Sequence, residues 1–382
     1  GFAITGVKAY LNEDKKENAS LALLGELDAL RIPEHAFANP ETNAAHCCGH
    51  HAQMAGVFGA ALALTVPEIA EKLDGQVVFF ATPAEEYGEI EFKNQLREQG
   101  KIRYGGGKCE LLRIGAFDDI DLCLTHHIRP GNEILVGSGT GNGFVSKVIR
   151  VLGKASHAAG APEKGVNALS AASLGLQALG LNRETFRDED CVRVHPIITK
   201  GGNLVNVIPD EVVVETLVRG KTIEAFTDAA KKTDRSFKAG AIAMGAKVEI
   251  STLPGYLPTL AEEALPELKH AAEISASGIP VIEASGHAGG STDVGDVQHL
   301  MPVYTFNTGG VKGGLHQIDF EVTNEEEAYI VTAKMFALAA YGLLKEKAQR
   351  SRELVDQYEP VFKNSAEYVE FMEQFDSKEI FE

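Results

Sequence analysis

Four short stretches of this chain concentrate side chains that bind metals or carry protons. They are His46-Cys47-Cys48-Gly49-His50-His51, the neighbours Glu85 and Glu86, the pair His126 and His127, and His316 in a glycine-rich loop. Thiolate, imidazole and carboxylate together suit zinc or a similar first-row divalent ion. A structural zinc site would draw on a closed set of cysteines and histidines at short spacing. These donors instead run from His46 to His316 and include a carboxylate pair, which favours a catalytic site. Neighbouring side chains on a strand point to opposite sides, so two adjacent glutamates with separate tasks fit best just past a strand end. One carboxylate can hold a metal while the other takes a proton from water. The plainer alternative is a solvated acidic turn with Glu89 close by, but the apolar QVVFFA run feeds into the pair from a buried strand.

Each patch must be set by an element that begins or ends there. SLALLGELDAL (20–30) reads as a strand ending in a polar loop, and AQMAGVFGAALAL (52–64) as a buried helix. DGQVVFFATPAEE (74–86), with its apolar QVVFFA run before Pro83, and IDLCLTHHI (120–128) read as buried strands. Strands alternating with helices predict an α/β fold with a mostly parallel sheet, its chemistry at the carboxyl ends of the strands. The pattern changes near residue 142. FVSKVIRVLGKA (144–155) is strand-like, 165–181 helical, VRVHPIITK (192–200) and EVVVETLVRG (211–220) strand-like, 222–246 helical, and KVEISTL (247–253) a strand. This β-α-β-β-α-β order predicts a ferredoxin-like α+β domain, 142–255, inserted into a catalytic domain made of 1–141 and 256–382. The first pattern then resumes with a helix at 259–277, strands at PVIEAS and PVYTFNT, and a helix across 323–346. The acidic tail after about residue 350 reads as an amphipathic helix of the catalytic domain.

At 382 residues the chain accommodates two domains, and 44% hydrophobic with 24% charged residues is ordinary for a globular protein. A formal net charge of -18 argues against nucleic acid or an anionic membrane as the main partner. No run of about 18 apolar residues reads as a membrane span. The opening segment lacks the basic start and apolar core of a signal peptide. The abrupt start at Gly1, on the edge of a strand-like segment, leads us to expect a further N-terminal piece. Five cysteines without disulfide-like spacing point to a reducing compartment, with the cytoplasm as the default.

Eight motifs, in order from about residue 20 to 320, resemble those of the dinuclear metallo-amidohydrolases. This family contains hippurate hydrolase, aminobenzoyl-glutamate hydrolase, bacterial aminoacylases and plant auxin-conjugate hydrolases. The motifs are GELDAL, HCCGHH, PAEE, DLCLTHH, GKASHAAGAPEKGVNAL, GGNLVNVIPDEVVVETLVRG, GGSTDVGDV and GGLHQ. GGSTDVGDV and the NVIP segment lean towards the aminobenzoyl-glutamate hydrolase branch. The resemblance implies a zinc-exopeptidase-like catalytic domain with an inserted lid and dimerisation domain, and two divalent ions per chain, zinc or manganese. It implies Cys48, His50, Glu86, His127 and His316 as metal ligands, Glu85 as general base and Asp28 as a partner behind the ligands. His157, Asn206 and Arg219 fall at substrate-binding positions, and a homodimer through the inserted domain is implied. The chain departs from the pattern at His51, where the family has aspartate, and at Cys47, which makes a cysteine pair. We read His51 as a substrate contact or a tolerated neighbour rather than an added ligand.

The implied activity is hydrolysis of the amide bond of a small N-acyl or N-aroyl amino acid. Glu85 would accept the proton of an activated water, and the Arg219 fork would suit a substrate carboxylate. A dipeptidase or carboxypeptidase on the same scaffold is the nearest alternative. A non-catalytic metal-binding protein would leave Glu85 without a task. A thiol hydrolase using Cys48 lacks a separate oxyanion signature.

Overall fold

From Leu21 to Leu24 the first buried strand carries apolar side chains only, so it must be covered on both faces. In the computed structural model, which describes residues 1–382, it is the Ser20–Glu26 strand, fully buried along its length. Its neighbours on either side are Gln76–Thr82 and Leu122–Ile128, both parallel to it. The seven-stranded sheet runs Val7–Leu11, Gln76–Thr82, Ser20–Glu26, Leu122–Ile128, Val303–Thr308, Ile134–Val136, Val281–Glu283. Val7–Leu11 is an antiparallel edge, and Ile134–Val136 is antiparallel to Val303–Thr308; the remaining pairs are parallel. The fold class is therefore α/β with a mostly parallel sheet. Helices His50–Leu64 and Thr332–Gln357 pack together, and Val57, Ala60, Met335, Phe336, Ala339 and Leu343 join the sheet's apolar core.

The chain divides into two compact units. The first comprises Gly1–Thr140, Thr259–His287 and Thr292–Tyr368; the second comprises Gly141–Pro258, Ala288–Ser291 and Val369–Glu382. In the second, antiparallel strands run in the order Arg193–Val194, Glu211–Gly220, Gly143–Leu152, Lys247–Tyr256, Ser377–Phe381, and Ile197–Lys200 also pairs with Glu211–Gly220. Along Glu211–Gly220 burial alternates residue by residue, with Val212, Val214 and Val218 inward. Helices Ala168–Asn182 and Ile223–Met244 cover that face. Asn167 accepts the Leu169 and Ser170 amides at the start of one helix, and Thr222 accepts the Ala225 amide of the other.

Four elements differ from the sequence reading. VRVHPIITK splits into Arg193–Val194 and Ile197–Lys200, because Pro196 has no amide to give the ladder. The helix expected from residue 259 begins only at Pro266, a residue suited to a first helical position. The helix of 323–346 starts with a π-helical turn, breaks at Lys345–Ala348 and continues to Gln357. The tail forms a helix, Ser365–Glu373, and then a strand, Ser377–Phe381, that extends the second unit's sheet. The stretch Glu326–Gln357 is long and apolar enough to cross a membrane, yet half of its most apolar window is buried in the first unit's core.

Candidate metal centre

The donors of the first unit gather at the carboxyl ends of its parallel strands. Glu26 ends Ser20–Glu26, Glu85 and Glu86 follow Gln76–Thr82 after Pro83, and His127 lies at the end of Leu122–Ile128. Strand alternation separates the two adjacent histidines. His127 joins the donors, whereas His126 is buried on Thr308 Oγ1 at 2.8 Å and against the Phe306 ring. Gly49 turns the chain into helix His50–Leu64 with φ +88°, and a Cβ there would lie 2.0 Å from Ile128. Only glycine fits that approach. His316 holds a left-handed backbone (φ +64°), and its amide donates to the Cys47 carbonyl at 2.9 Å.

Two donor groups share one thiol. Cys48, His50 and His127 offer ligand atoms within 4.8 Å of one another, and so do Cys48, Glu86 and His316. Cys48 Sγ lies 3.4 Å from His127 Nε2 and 3.2 Å from His316 Nε2. His316 Nε2 is 2.8 Å from Glu86 Oε1. His50 Nε2 and Glu86 Oε1 are buried and make no hydrogen bond of good angle, although Glu26 and His316 stand within ion-pairing distance. Buried lone pairs left in that state suit a metal ion. With thiolate, imidazole and carboxylate in the set, these residues fit a pair of first-row divalent ions.

Behind the donors lies a second layer. His50 Nδ1 is 3.0 Å from the Asp28 carbonyl, and Asp28 Oδ2 accepts the Glu86 amide at 2.8 Å. His50 Nε2 is 3.2 Å from Glu26 Oε2 and 4.0 Å from Glu85 Oε2. Lys108, fully buried, donates to Glu26 Oε1 at 2.5 Å and to Asp293 Oδ1 at 2.6 Å. Lys93 Nζ donates to the Glu86 carbonyl at 2.6 Å and lies over the Tyr87 ring. Glu26, Lys93, Lys108 and Asp293 escaped the sequence reading. A charged residue ending an otherwise apolar strand, as in SLALLGE, is the signal that could have found Glu26.

Charge crowding shifts these groups strongly. Burial, reinforced by the Glu26 and Asp293 carboxylates, pushes the Glu85 carboxyl well above the usual range. Burial opposes ionised Glu26, but Lys108 and His50 outweigh it and hold its pKa low. Burial likewise opposes protonated His50, and the carboxylates of Glu26 and Asp28 outweigh it, raising its pKa. The Cys48 thiol is pushed up to about 12 by burial, with Glu86 and Glu85 adding to the effect. His51 stands apart from both donor groups, against His46, Phe320 and Tyr329. Burial, then His46 and His50, lower its pKa to about 4.

His157, Asn206 and Arg219 belong to the second unit. His157 is exposed, with Nδ1 accepting the Gly160 amide at 3.0 Å, and Val207 bridges to its backbone. Asn206 is exposed on the facing loop that carries Val207, its carbonyl accepting the Ala158 amide. Arg219 lies over the Phe144 ring and lines a cavity of about 410 Å³ with Arg193, His195, Leu217 and Gly289.

Comparison with known proteins adds three kinds of likeness. The profile of the family described as Peptidase family M20/M25/M40 matches residues 22–341. The chain is 28% identical over 311 residues to the Xaa-Arg dipeptidase of Mus musculus, matching 79% of this chain and 64% of that protein. It therefore spans less than two thirds of that relative's length. It is 30% identical over 239 residues to one of the chains of p-aminobenzoyl-glutamate hydrolase from Escherichia coli, matching 61% of this chain and 44% of that protein. In fold it is similar to the crystal structure of a Bacillus subtilis protein described as a dinuclear metal binding peptidase. There the TM-score is 0.59 at 24% identity, covering 89% of this chain and 85% of that one.

Proposed function

This chain belongs to peptidase family M20/M25/M40, and on that premise we propose that it hydrolyses the amide bond of a small N-acyl or N-aroyl amino acid with two divalent ions. The observation that carries the reading is the pair of donor groups sharing Cys48, with the Glu85 carboxyl beside them. Cys48, His50 and His127 would hold one ion, and Cys48, Glu86 and His316 the other. Zinc and manganese both suit this donor set. When bound, the ions supply Lewis acidity that makes water a nucleophile near neutral pH and polarises a carbonyl.

The protein's own groups do the rest. Glu85 takes the proton of the attacking water and delivers it to the amide nitrogen as the C–N bond breaks. Asp28 keeps the His50 ring and the Glu86 backbone in place through its carbonyl and carboxylate. In the same reading His157, Asn206 and Arg219 contact substrate, and Arg219 offers its planar fork to a carboxylate. His157 steadies the tetrahedral oxyanion. The reading also includes a homodimer through the second unit and a cytoplasmic location. Five free cysteines, four of them buried, support a reducing compartment.

Likeness to the Xaa-Arg dipeptidases of mouse and human favours a dipeptidase as the second reading. A panel of N-acyl amino acids and dipeptides offered to metal-reconstituted protein, with amine release measured, tests both. Turnover of acyl amino acids above dipeptides supports the proposal, the reverse ranking supports the second reading, and activity untouched by chelators overturns both.

A further inference from the structure

We infer that Lys108 is a positioning residue that, anchored by Asp293, holds one oxygen of Glu26 so that the other is set against the His50 imidazole. This rests on the two-metal reading of the same site. The Lys108 ammonium reaches Glu26 Oε1 and Asp293 Oδ1, while its backbone amide donates to Asp293 Oδ2 at 2.8 Å. None of these three side chains is more than 3% exposed. The free oxygen of Glu26 lies 3.2 Å from His50 Nε2, and the Glu26 amide is tied to Gln53 Oε1 at 2.7 Å.

The mount is as tight as the contacts. Helix Gly107–Arg113 meets the loop carrying Glu85 and Glu86 backbone to backbone, with the Gly107 amide on the Ala84 carbonyl at 2.9 Å. A Cβ on Gly107 would fall 1.5 Å from the Pro83 carbonyl oxygen. Lys108 is thus fixed relative to the same loop that carries the proposed base.

A buried ion trio is poor at stabilising a fold, since each charge must give up its water and well-packed apolar side chains often do as well. Its location accounts for it better. Glu26 Oε2 faces the ligating nitrogen of His50 itself, so it fixes that ring and adds negative charge beside any ion held there, and losing such a partner typically weakens metal binding about ten- to a hundredfold. The arrangement is one-sided. Lys108 and Glu26 address His50, whereas Glu86 is held by Asp28 and His316. Only the group Cys48, His50 and His127 should therefore feel the loss of Lys108.

The test is titration of metal-stripped full-length protein with Co2+ and with Zn2+, followed by calorimetry and, for cobalt, by visible absorption. Wild type, Lys108→Met and Glu26→Gln are compared, with thermal unfolding recorded for each apo protein. Both variants are expected to lose about ten- to a hundredfold in affinity at one of the two sites while the other stays as in wild type. Glu26→Gln preserves shape and decides the matter alone if Lys108→Met does not fold. Two sites of wild-type affinity in the variants, or equal weakening of both, overturn the inference. A wild type that binds no metal overturns the two-metal reading instead.

Discussion

Glu85 and Glu86 are adjacent in sequence yet face different partners. Glu86 Oε1 meets His316 Nε2 at 2.8 Å, while Glu85 comes no nearer to His50 than 4.0 Å and keeps 12% of its side chain exposed. Glu85→Gln retains shape but cannot accept a proton, so it should keep both metals and lose about two to four orders of magnitude in kcat. Glu86→Gln should instead lose metal, with partial recovery of activity when metal is added. Metal content and turnover on the same preparations separate the two; metal loss in the first variant alone would mean the roles are reversed. The donors that the structure brings together were legible because each stands in a cluster of unusual composition at a strand end. Lys108 was not, because its partners lie 82 and 185 residues away and nothing in the GGGKCELLR segment marks a buried cation. His126 and His127 show the reverse case, where composition singled out two residues and strand geometry put only one among the donors.

At the scale of elements, continuous apolar runs located the cores of the central strands, because a strand covered on both faces leaves no polar position to confuse it. Breaks decided by distant contacts were illegible. The helix interruption at Lys345–Ala348 places three non-glycine residues at positive φ and is held by the Asp74 carboxylate on the Lys347 amide. Strand Ser377–Phe381 exists through its pairing with residues 248–252. Two predictions belong here. Gly107→Ala forces a methyl into the Pro83 carbonyl, so melting should drop by the equivalent of about 1–3 kcal/mol. Because the loop bearing Glu85 must shift, kcat should also fall by about a hundredfold at unchanged metal content; normal turnover would show that the loop is not so constrained. The other concerns Glu262, whose carboxyl turns inward to the Thr305 amide at 2.6 Å and, through burial, has its pKa raised to about 8. Between the ordinary carboxyl pKa near ~4.3 and that value, the folded protein binds a proton that the unfolded chain has released. This contribution is therefore fully present below the ordinary pKa and is lost as pH rises through about 8. Glu262→Gln should raise the Tm relative to wild type more at pH 8 than at pH 5. An equal shift at both pH values would place the carboxyl's titration elsewhere.

At the scale of the whole molecule, the second unit carries apolar side chains that its core does not account for. In the second unit Ile197, Ile198, Leu204 and Val205 are exposed, Val205 completely, in a chain whose net charge is -18. Ile197–Lys200 is an edge strand, paired only with Glu211–Gly220 and exposed at all four positions. Natural proteins protect such edges with charge, proline or cover, and contiguous apolar surface marks an association site. Pro196 precedes the strand and Lys200 ends it, but Ile197 and Ile198 leave its first half open. This is the surface that supports the proposed homodimer. Symmetric pairing would bring the same patch of both copies together, so one charge introduced there is buried against apolar surface twice over. Val205→Asp should accordingly convert a dimer into a monomer, while its exposure leaves the fold and the melting of the isolated chain within about ±0.5 kcal/mol of wild type. Light scattering at micromolar concentration measures this directly. Wild type should show twice the chain mass of 40.9 kDa and the variant the single mass. A wild type already at the single mass would remove the dimer from the reading. A variant still at twice that mass would move the contact elsewhere.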